Sequence, residues 1–434
     1  MQEVLNRDLK ISINKGDIDS IKYLLNQGAD IHYNDDYILR ISSKNQNIEM
    51  VNFLINNGSD IHSDNEYCLK ISVKNQNIEL TKIFIDHGAD VRINDEYCLR
   101  TAVKNQNIEL TKILIDHGAD IKINDEQILK LAINNGNLEI IKLLIENGAN
   151  IYIEYGYTLK ISAEKGYLNV IKYLLEKGIN VHINDNIALK ISVEKGYTEI
   201  VKYLLEHGAI PNVEFNNPLT MSIKKGYVEI TKLLIEYGAL ENFNINYPLK
   251  LSIEYGKLEI LEYLLEKEPN YELNDQYIIK TILYKGHFEL IEYINKKGYD
   301  IHIDNYYGLK KNVENGNIKI VEYLLNHNGD IHINNEYLLK VAIELNNNEM
   351  IKILLKYGAN ASNLKEFQFL RLLNSPNFNL IEIKTNHQNI INKITNKNNK
   401  KYFKSYYHHK ISNGLNKKLK EELLSKSNNL NYLF

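Results

Sequence analysis

The chain has 434 residues, 25% charged and 44% hydrophobic, with a formal net charge of −3. That length exceeds what one compact core holds, so it calls for several domains or an elongated architecture. No apolar run reaches the ~18 residues of a membrane span, two cysteines do not make a disulfide framework, and the opening "MQEVLNRDLK" lacks the basic-then-apolar order of a secretory leader, so a reducing, cytoplasmic setting is expected.

The chain repeats itself from near its start. Gly28, Gly58, Gly88, Gly118, Gly148, Gly178, Gly208 and Gly238 stand thirty apart, and the register continues through Gly298 and Gly358. A leucine column keeps the same step from Leu9 and Leu39 to Leu309 and Leu339, with Ile279 in one place. "VKNQNIELTKIFIDHGAD" (73–90) recurs at 103–120 with one change, Phe84 against Leu114. The pattern gives twelve units over 1–360 with no insertion between them, and a period of this size signals a stacked array.

Within a unit, two short helices are predicted. In 189–208, "LKISVEKGYTEIVKYLLEHG", a first helix of about two turns carries Leu189, Ile191 and Val193 and stops at Gly196. A second helix places Ile200, Val201, Leu204 and Leu205 at helical spacing and ends at Gly208. No unit can bury its apolar stripe alone, so neighbours must stack. A column of small residues, among them Ser72, Ala102, Ser162 and Ser192, allows the helices to approach closely.

The units resemble ankyrin repeats over roughly residues 5–360. "NPLTMS" (217–222) and "YPLKLS" (247–252) are similar to the family's T-P-L-H-x-A stretch, and "GNLEIIKLLIENGAN" (136–150) to its G-H-L-E-V-V…L-L-x-x-G-A-D stretch. The resemblance implies an all-α ankyrin-repeat solenoid of about twelve helix-turn-helix units. The unit is three residues short of the usual 33, so shortened hairpin loops are expected. Thirty-residue units of this kind also resemble the arrays of giant DNA viruses of amoebae, and a host cytoplasm would then be the setting.

The family's Thr position is mostly Tyr here, and its His position is basic in eleven units, Lys10 and Arg40 among them, with Thr220 the exception. Acids such as Asp35, Asp36, Asp95, Glu96 and Glu336 precede the bases in step. A basic stripe for an acidic partner and a ladder of Lys/Arg–Asp/Glu contacts both fit; the shared step favours the ladder. Histidines fall into two repeat columns, and Cys68 and Cys98 sit one unit apart, so neither set reads as a metal site or a disulfide. No nucleotide-binding loop, nucleophile elbow or zinc-protease motif occurs, so no enzyme, metal or cofactor is expected.

Units nine to eleven depart from the pattern. Glu268-Pro269 replaces the closing Gly-Ala, Ile282 and Asn312 fill the small column, and Asn295 replaces an aliphatic residue. A local hinge and simple drift are both consistent with this. Residues 361–385 read as a degenerate cap. Residues 386–434 hold ten Lys against two acids and read as a mostly disordered basic tail, the only segment offering a contact to nucleic acid or an acidic surface.

Function is expected to be protein recognition by a monomer, without catalysis. In the family, residues past the small pair of the first helix face the concave side. Here that position reads Lys44, Lys74 and Lys104, then Glu164 and Glu194, so the sign changes along the array. Tyr155 and Tyr157 in "IYIEYGYTLK" and Tyr306 and Tyr307 in "DNYYGLK" add tyrosines of the kind enriched at interfaces.

Overall fold

The computed structural model describes residues 2–212, 218–241, 244–268, 271, 273, 276–360, 364 and 368, with backbone alone at Asn14 and Tyr155. The cap expected at 361–385, apart from residues 364 and 368, and the tail expected at 386–434 lie outside them. Among the described residues there are twenty-four α-helices and one 3-10 turn, Glu154–Gly156, and no strand. The helices form twelve consecutive pairs, one per thirty-residue unit. They group into two compact bodies, Met1–Phe243 with units 1–8 and Asn244–Phe434 with units 9–12.

Stacking follows from the apolar columns. The leucine column is buried throughout both bodies, and the small column at Ser72, Ala102, Ser162 and Ser192 is fully buried. In the first body, Tyr33–Lys44 packs on Ser63–Lys74, which packs on Ile93–Lys104, which packs on Ile123–Asn135. The second helices Ile78–Asp86, Ile108–Asp116 and Leu138–Glu146 stack in parallel with them. Each buried Leu or Ile contributes about 1.5–3 kcal/mol relative to exposure. Ser192 satisfies its hydroxyl within its own helix by donating to the Ala188 carbonyl at 2.7 Å. Cys68 and Cys98 are free thiols in this interior, and burial pushes both up to about 12.

Second helices close as the glycine column requires. In unit 7, Gly208 N–H donates to the Leu205 carbonyl and Ala209 N–H to Leu204 at 2.9 Å, with Gly208 at φ +89°. This is a Schellman closure, which needs a left-handed residue. The Asp or Asn two places after the closing Gly has its own task. Asp60 Oδ1 accepts from His62 N–H, Asp90 Oδ1 from Arg92 N–H and Asn180 Oδ1 from His182 N–H, all at 2.9 Å. Each bond starts the loop to the next unit as an Asx turn.

The shortened loop is a left-handed turn of three successive residues. Residues 34–36 have φ of 54°, 58° and 50°, and the same conformation recurs at 64–66, 94–96, 124–126, 184–186, 304–306 and 334–336. Right-handed helix begins only after the turn, at Tyr37 in unit 2. A left-handed residue other than Gly costs about 1–2 kcal/mol, least for Asn and Asp, which fill most of the first two places. Unit 6 replaces the turn with Glu154–Gly156, and Gly156 at φ +69° sits so near Ile183 that a Cβ would lie 2.8 Å from it.

Units 10 and 11 compensate for their odd residues by packing. Ile282 is fully buried, and the next unit carries Gly308, where a Cβ would come within 2.8 Å of Leu283. Asn312 is buried with its amide donating to the Leu283 and Gly308 carbonyls, both at 2.8 Å, and its oxygen accepting from Asn317 at 2.9 Å. Asn295 donates to the Tyr323 hydroxyl at 2.9 Å.

Candidate protein-binding face

The loop turns carry the densest polar chemistry. The third residue of the turn is buried in most units, as Asp36, Glu66, Glu96, Asn186 and Glu336. Its side-chain oxygen reaches the backbone of the loop that closes the same unit: Asp36 accepts from Asp60 N–H at 2.9 Å, Glu66 from Asp90 at 3.2 Å and Glu96 from Asp120 at 2.9 Å. The histidine at the loop's start approaches the same group through Nδ1, His32 on Asp36 at 3.2 Å and His332 on Glu336 at 2.6 Å, with His62 on Glu66 closer still. The hydrogen bond to Glu66 holds the His62 imidazole above its ordinary value. Burial pushes the Glu96 carboxyl up, against the bond from Asp120. The other histidine column caps second helices: His87, His117, His207 and His327 each bring Nδ1 to 2.8 Å from a carbonyl one turn back.

This corrects the expected ladder of bases and acids. Ion pairs of that kind form at Arg40–Asp64 (2.8 Å), Lys280–Asp304 (2.8 Å) and Lys190–Asp185. The base also binds carbonyls of the turn, as Arg100 does at Asn94 (2.8 Å) and Arg40, beside its ion pair, at Asn34 (2.7 Å). The acids in the third place are buried beneath, with backbone N–H groups and histidines as partners. The two acids of a pair such as Asp35-Asp36 therefore do different work, one exposed and one buried.

The outward end of the first helices is the second feature. Lys44, Lys74 and Lys104 end the stacked helices Tyr33–Lys44, Ser63–Lys74 and Ile93–Lys104, all exposed. Glu164 and Glu194 hold the same place on Tyr157–Lys165 and Ile183–Lys195, which also pack together, and are exposed. Among the described residues none of these five side chains is in an ion pair or a hydrogen bond. Tyr157 is half-buried beside this row: its hydroxyl accepts from Asn134 Nδ2 at 2.6 Å, and Lys130 Nζ lies 6.0 Å from its ring centroid. The Tyr155 side chain is outside the described residues. Tyr306 and Tyr307 belong to the other body. Tyr306 is in the left-handed turn at φ +57° with its ring 5.2 Å from that of His302, and Tyr307 is half-buried.

In the second body the corresponding acids are engaged. Glu254 meets Lys285 at 3.3 Å, Glu314 meets Lys311 at 2.7 Å and the Tyr337 hydroxyl at 2.7 Å, and Glu344 accepts from Gln368 at 2.9 Å. What the sequence reading missed there is a group of exposed tyrosines, Tyr247, Tyr255, Tyr277 and Tyr284, on the adjacent helices Asn246–Glu254 and Gln276–Lys285 and their ends. The high overall tyrosine content hid them. Among the described residues no cluster of three or more His, Cys, Asp or Glu is arranged to hold a metal, and no helix is long and apolar enough to cross a membrane.

The family profile described as "Ankyrin repeats (3 copies)" matches residues 9–95, 69–155, 99–185, 154–215, 189–276 and 278–364. Among solved structures, an ankyrin-repeat domain from Acinetobacter baumannii AYE is 30% identical with a TM-score of 0.36, the match covering 40% of this chain and 98% of that one. The ankyrin-repeat domain of human ASB11 is 22% identical with a TM-score of 0.38, covering 45% of this chain and 96% of that one. No curated protein matches the chain. With the profile spanning nearly all twelve helix pairs, the chain belongs to the ankyrin-repeat family, whose repeats mediate protein–protein interaction.

Proposed function

We propose that the chain is a non-catalytic recognition scaffold that holds a partner protein against the outward ends of its first helices, the side that is concave in the family. The observation that carries this is the row Lys44, Lys74, Lys104, Glu164, Glu194: five exposed charges on stacked helices, none spent on an internal ion pair. Charges that do not serve the fold are available to select a partner and to reject others. A monomer suffices for such a face. The host-cytoplasmic setting rests on the resemblance to viral arrays alone.

The test compares two charge-reversed versions of the full chain in quantitative capture from cell extract. One carries Lys74→Glu and Glu194→Lys on the first-helix ends. The other carries Lys112→Glu and Lys202→Glu, exposed on second helices. The partner retained by the native chain is expected to be lost from the first and kept by the second. Loss from the second with retention by the first would move recognition to the other face.

A further inference from the structure

Units 2–4 repeat one exposed string, Lys-Asn-Gln, at 44–46, 74–76 and 104–106. Of the second-helix lysines in units 1–4, Lys22 meets Glu49 at 2.6 Å and Lys82 meets Glu109 at 3.3 Å, while Lys112 is exposed and in no ion pair among the described residues. Lys44, Lys74 and Lys104 are in none either. Their turns are also unusually tied. Gln46, Gln76 and Gln106 take the left-handed conformation at φ 58°, 59° and 57°, a place that most other units give to Gly. Gln46 Oε1 accepts from Asn77 Nδ2 at 3.1 Å and Gln76 Oε1 from Asn107 Nδ2 at 3.5 Å, so each turn is linked to the next. The result is a row of three ammonium groups on a cross-linked support.

We propose that this row docks an extended acidic peptide with a carboxylate at every third residue, one carboxylate per lysine. The register comes from two spacings. Stacked helices lie about 8–10 Å apart, and an extended chain in the polyproline II conformation advances about 3.1 Å per residue with three residues per turn, so one unit step matches three residues and every third side chain faces the same way. The exposed amide groups of Asn45 and Asn105 stand beside the lysines and suit the peptide's own backbone groups, while Asn75 Nδ2 donates to the Lys44 carbonyl at 3.4 Å. Nucleic acid fits worse. Residues 31–120 hold fourteen Asp and Glu against nine Lys and Arg, and Asp35, Asp64 and Asp95 are exposed in the same units. The positive potential is therefore confined to the row, whereas a nucleic-acid backbone presents continuous negative charge. This assignment rests on reading the first-helix ends as the recognition face.

The experiment is fluorescence anisotropy of the full chain at low salt with two labelled peptides of identical composition. One has four Glu-Ser-Ser repeats; the other has its four glutamates contiguous. The periodic peptide is expected to bind about tenfold more tightly, and Lys44→Glu/Lys74→Glu/Lys104→Glu to abolish that preference. Lys112→Glu/Lys202→Glu is expected to change its affinity by no more than about twofold. Equal binding of both peptides, or an equal loss in the second-helix variant, would overturn the proposal, as would tighter binding of a single-stranded oligonucleotide at the same salt. If the peptides fail while the first-helix variant above still loses its captured partner, only the acidic register falls. If that partner survives, the recognition face itself is misassigned whatever the peptides do.

Discussion

Units 2–4 and units 5–7 make the same left-handed turn between their paired helices with opposite chemistry. In units 2–4 the residue at the turn is Gln, with Gln46 and Gln76 joined to the next unit by Asn77 and Asn107, and Asn47, Asn77 and Asn107 cap the second helices. In units 5–7 it is Gly136, Gly166 and Gly196, and the ring of Tyr167, Tyr197 or Tyr227 from the following unit lies over it. A Cβ on Gly136 would fall 2.4 Å from the Tyr167 ring. One backbone is thus held by hydrogen bonds at a polar surface and once by an aromatic lid. The first solution leaves free lysines beside the turn. The second closes it with a Tyr ring and sets Glu164 and Glu194 next to Lys165 and Lys195.

The largest effect should come from breaking the lid. Gly136→Ala adds a left-handed alanine and a clash with Tyr167, and is expected to cost about 2–4 kcal/mol in urea denaturation. Combined with Tyr167→Ala, the added cost of the alanine should fall to the backbone part, about 1–2 kcal/mol. An unchanged cost in that background would remove the ring from the explanation. On the polar side, Asn77→Ala deletes a cap, Asn77 Oδ1 to Leu80 N–H at 2.9 Å, as well as the link to Gln46. The expected loss is about 0.5–2 kcal/mol. Gln76→Gly relieves the left-handed strain and gives up one long hydrogen bond, so a gain of about 0.5 kcal/mol is expected by the same measurement.

The smallest effect belongs to the loops. The His62 imidazole is raised by Glu66, so its contribution is complete below its ordinary value of about 6.5 and is lost as pH rises through the folded value. The loss of thermal midpoint in His62→Gln should therefore be greater at acid pH than at alkaline pH. A loss independent of pH would leave His62 a packing role only.

Much of this was legible because it repeats. The leucine column is apolar and buried in every unit, and the small column is compact in most units and buried wherever the helices are described except at half-buried Ser12. The exposure of Lys44, Lys74, Lys104, Glu164 and Glu194 also followed from their place past the small column. The loop turns were not legible in the same way. Asp35 and Asp36 are the same letter, and only the backbone decides which faces water. Three left-handed residues in succession are set by the stacking of one loop on the next, a contact between residues twenty-four apart. The signal that could have found them is the Asn/Asp pair at 34–35, 64–65, 94–95 and 124–125, residue types that tolerate this conformation. The two-body division at Phe243 carries no marker in the thirty-residue spacing, which runs through it unchanged.

The central claim is that recognition lies on the first-helix ends, and lysine footprinting reads it most directly. The chain, free and bound to its captured partner, is treated briefly with an amine-reactive acetylating reagent, and modification is quantified at each lysine. The account predicts protection of Lys44, Lys74 and Lys104 on binding, with exposed Lys112 and Lys202 on the second helices unchanged. Protection of Lys112 and Lys202 with Lys44, Lys74 and Lys104 still fully modified would contradict it.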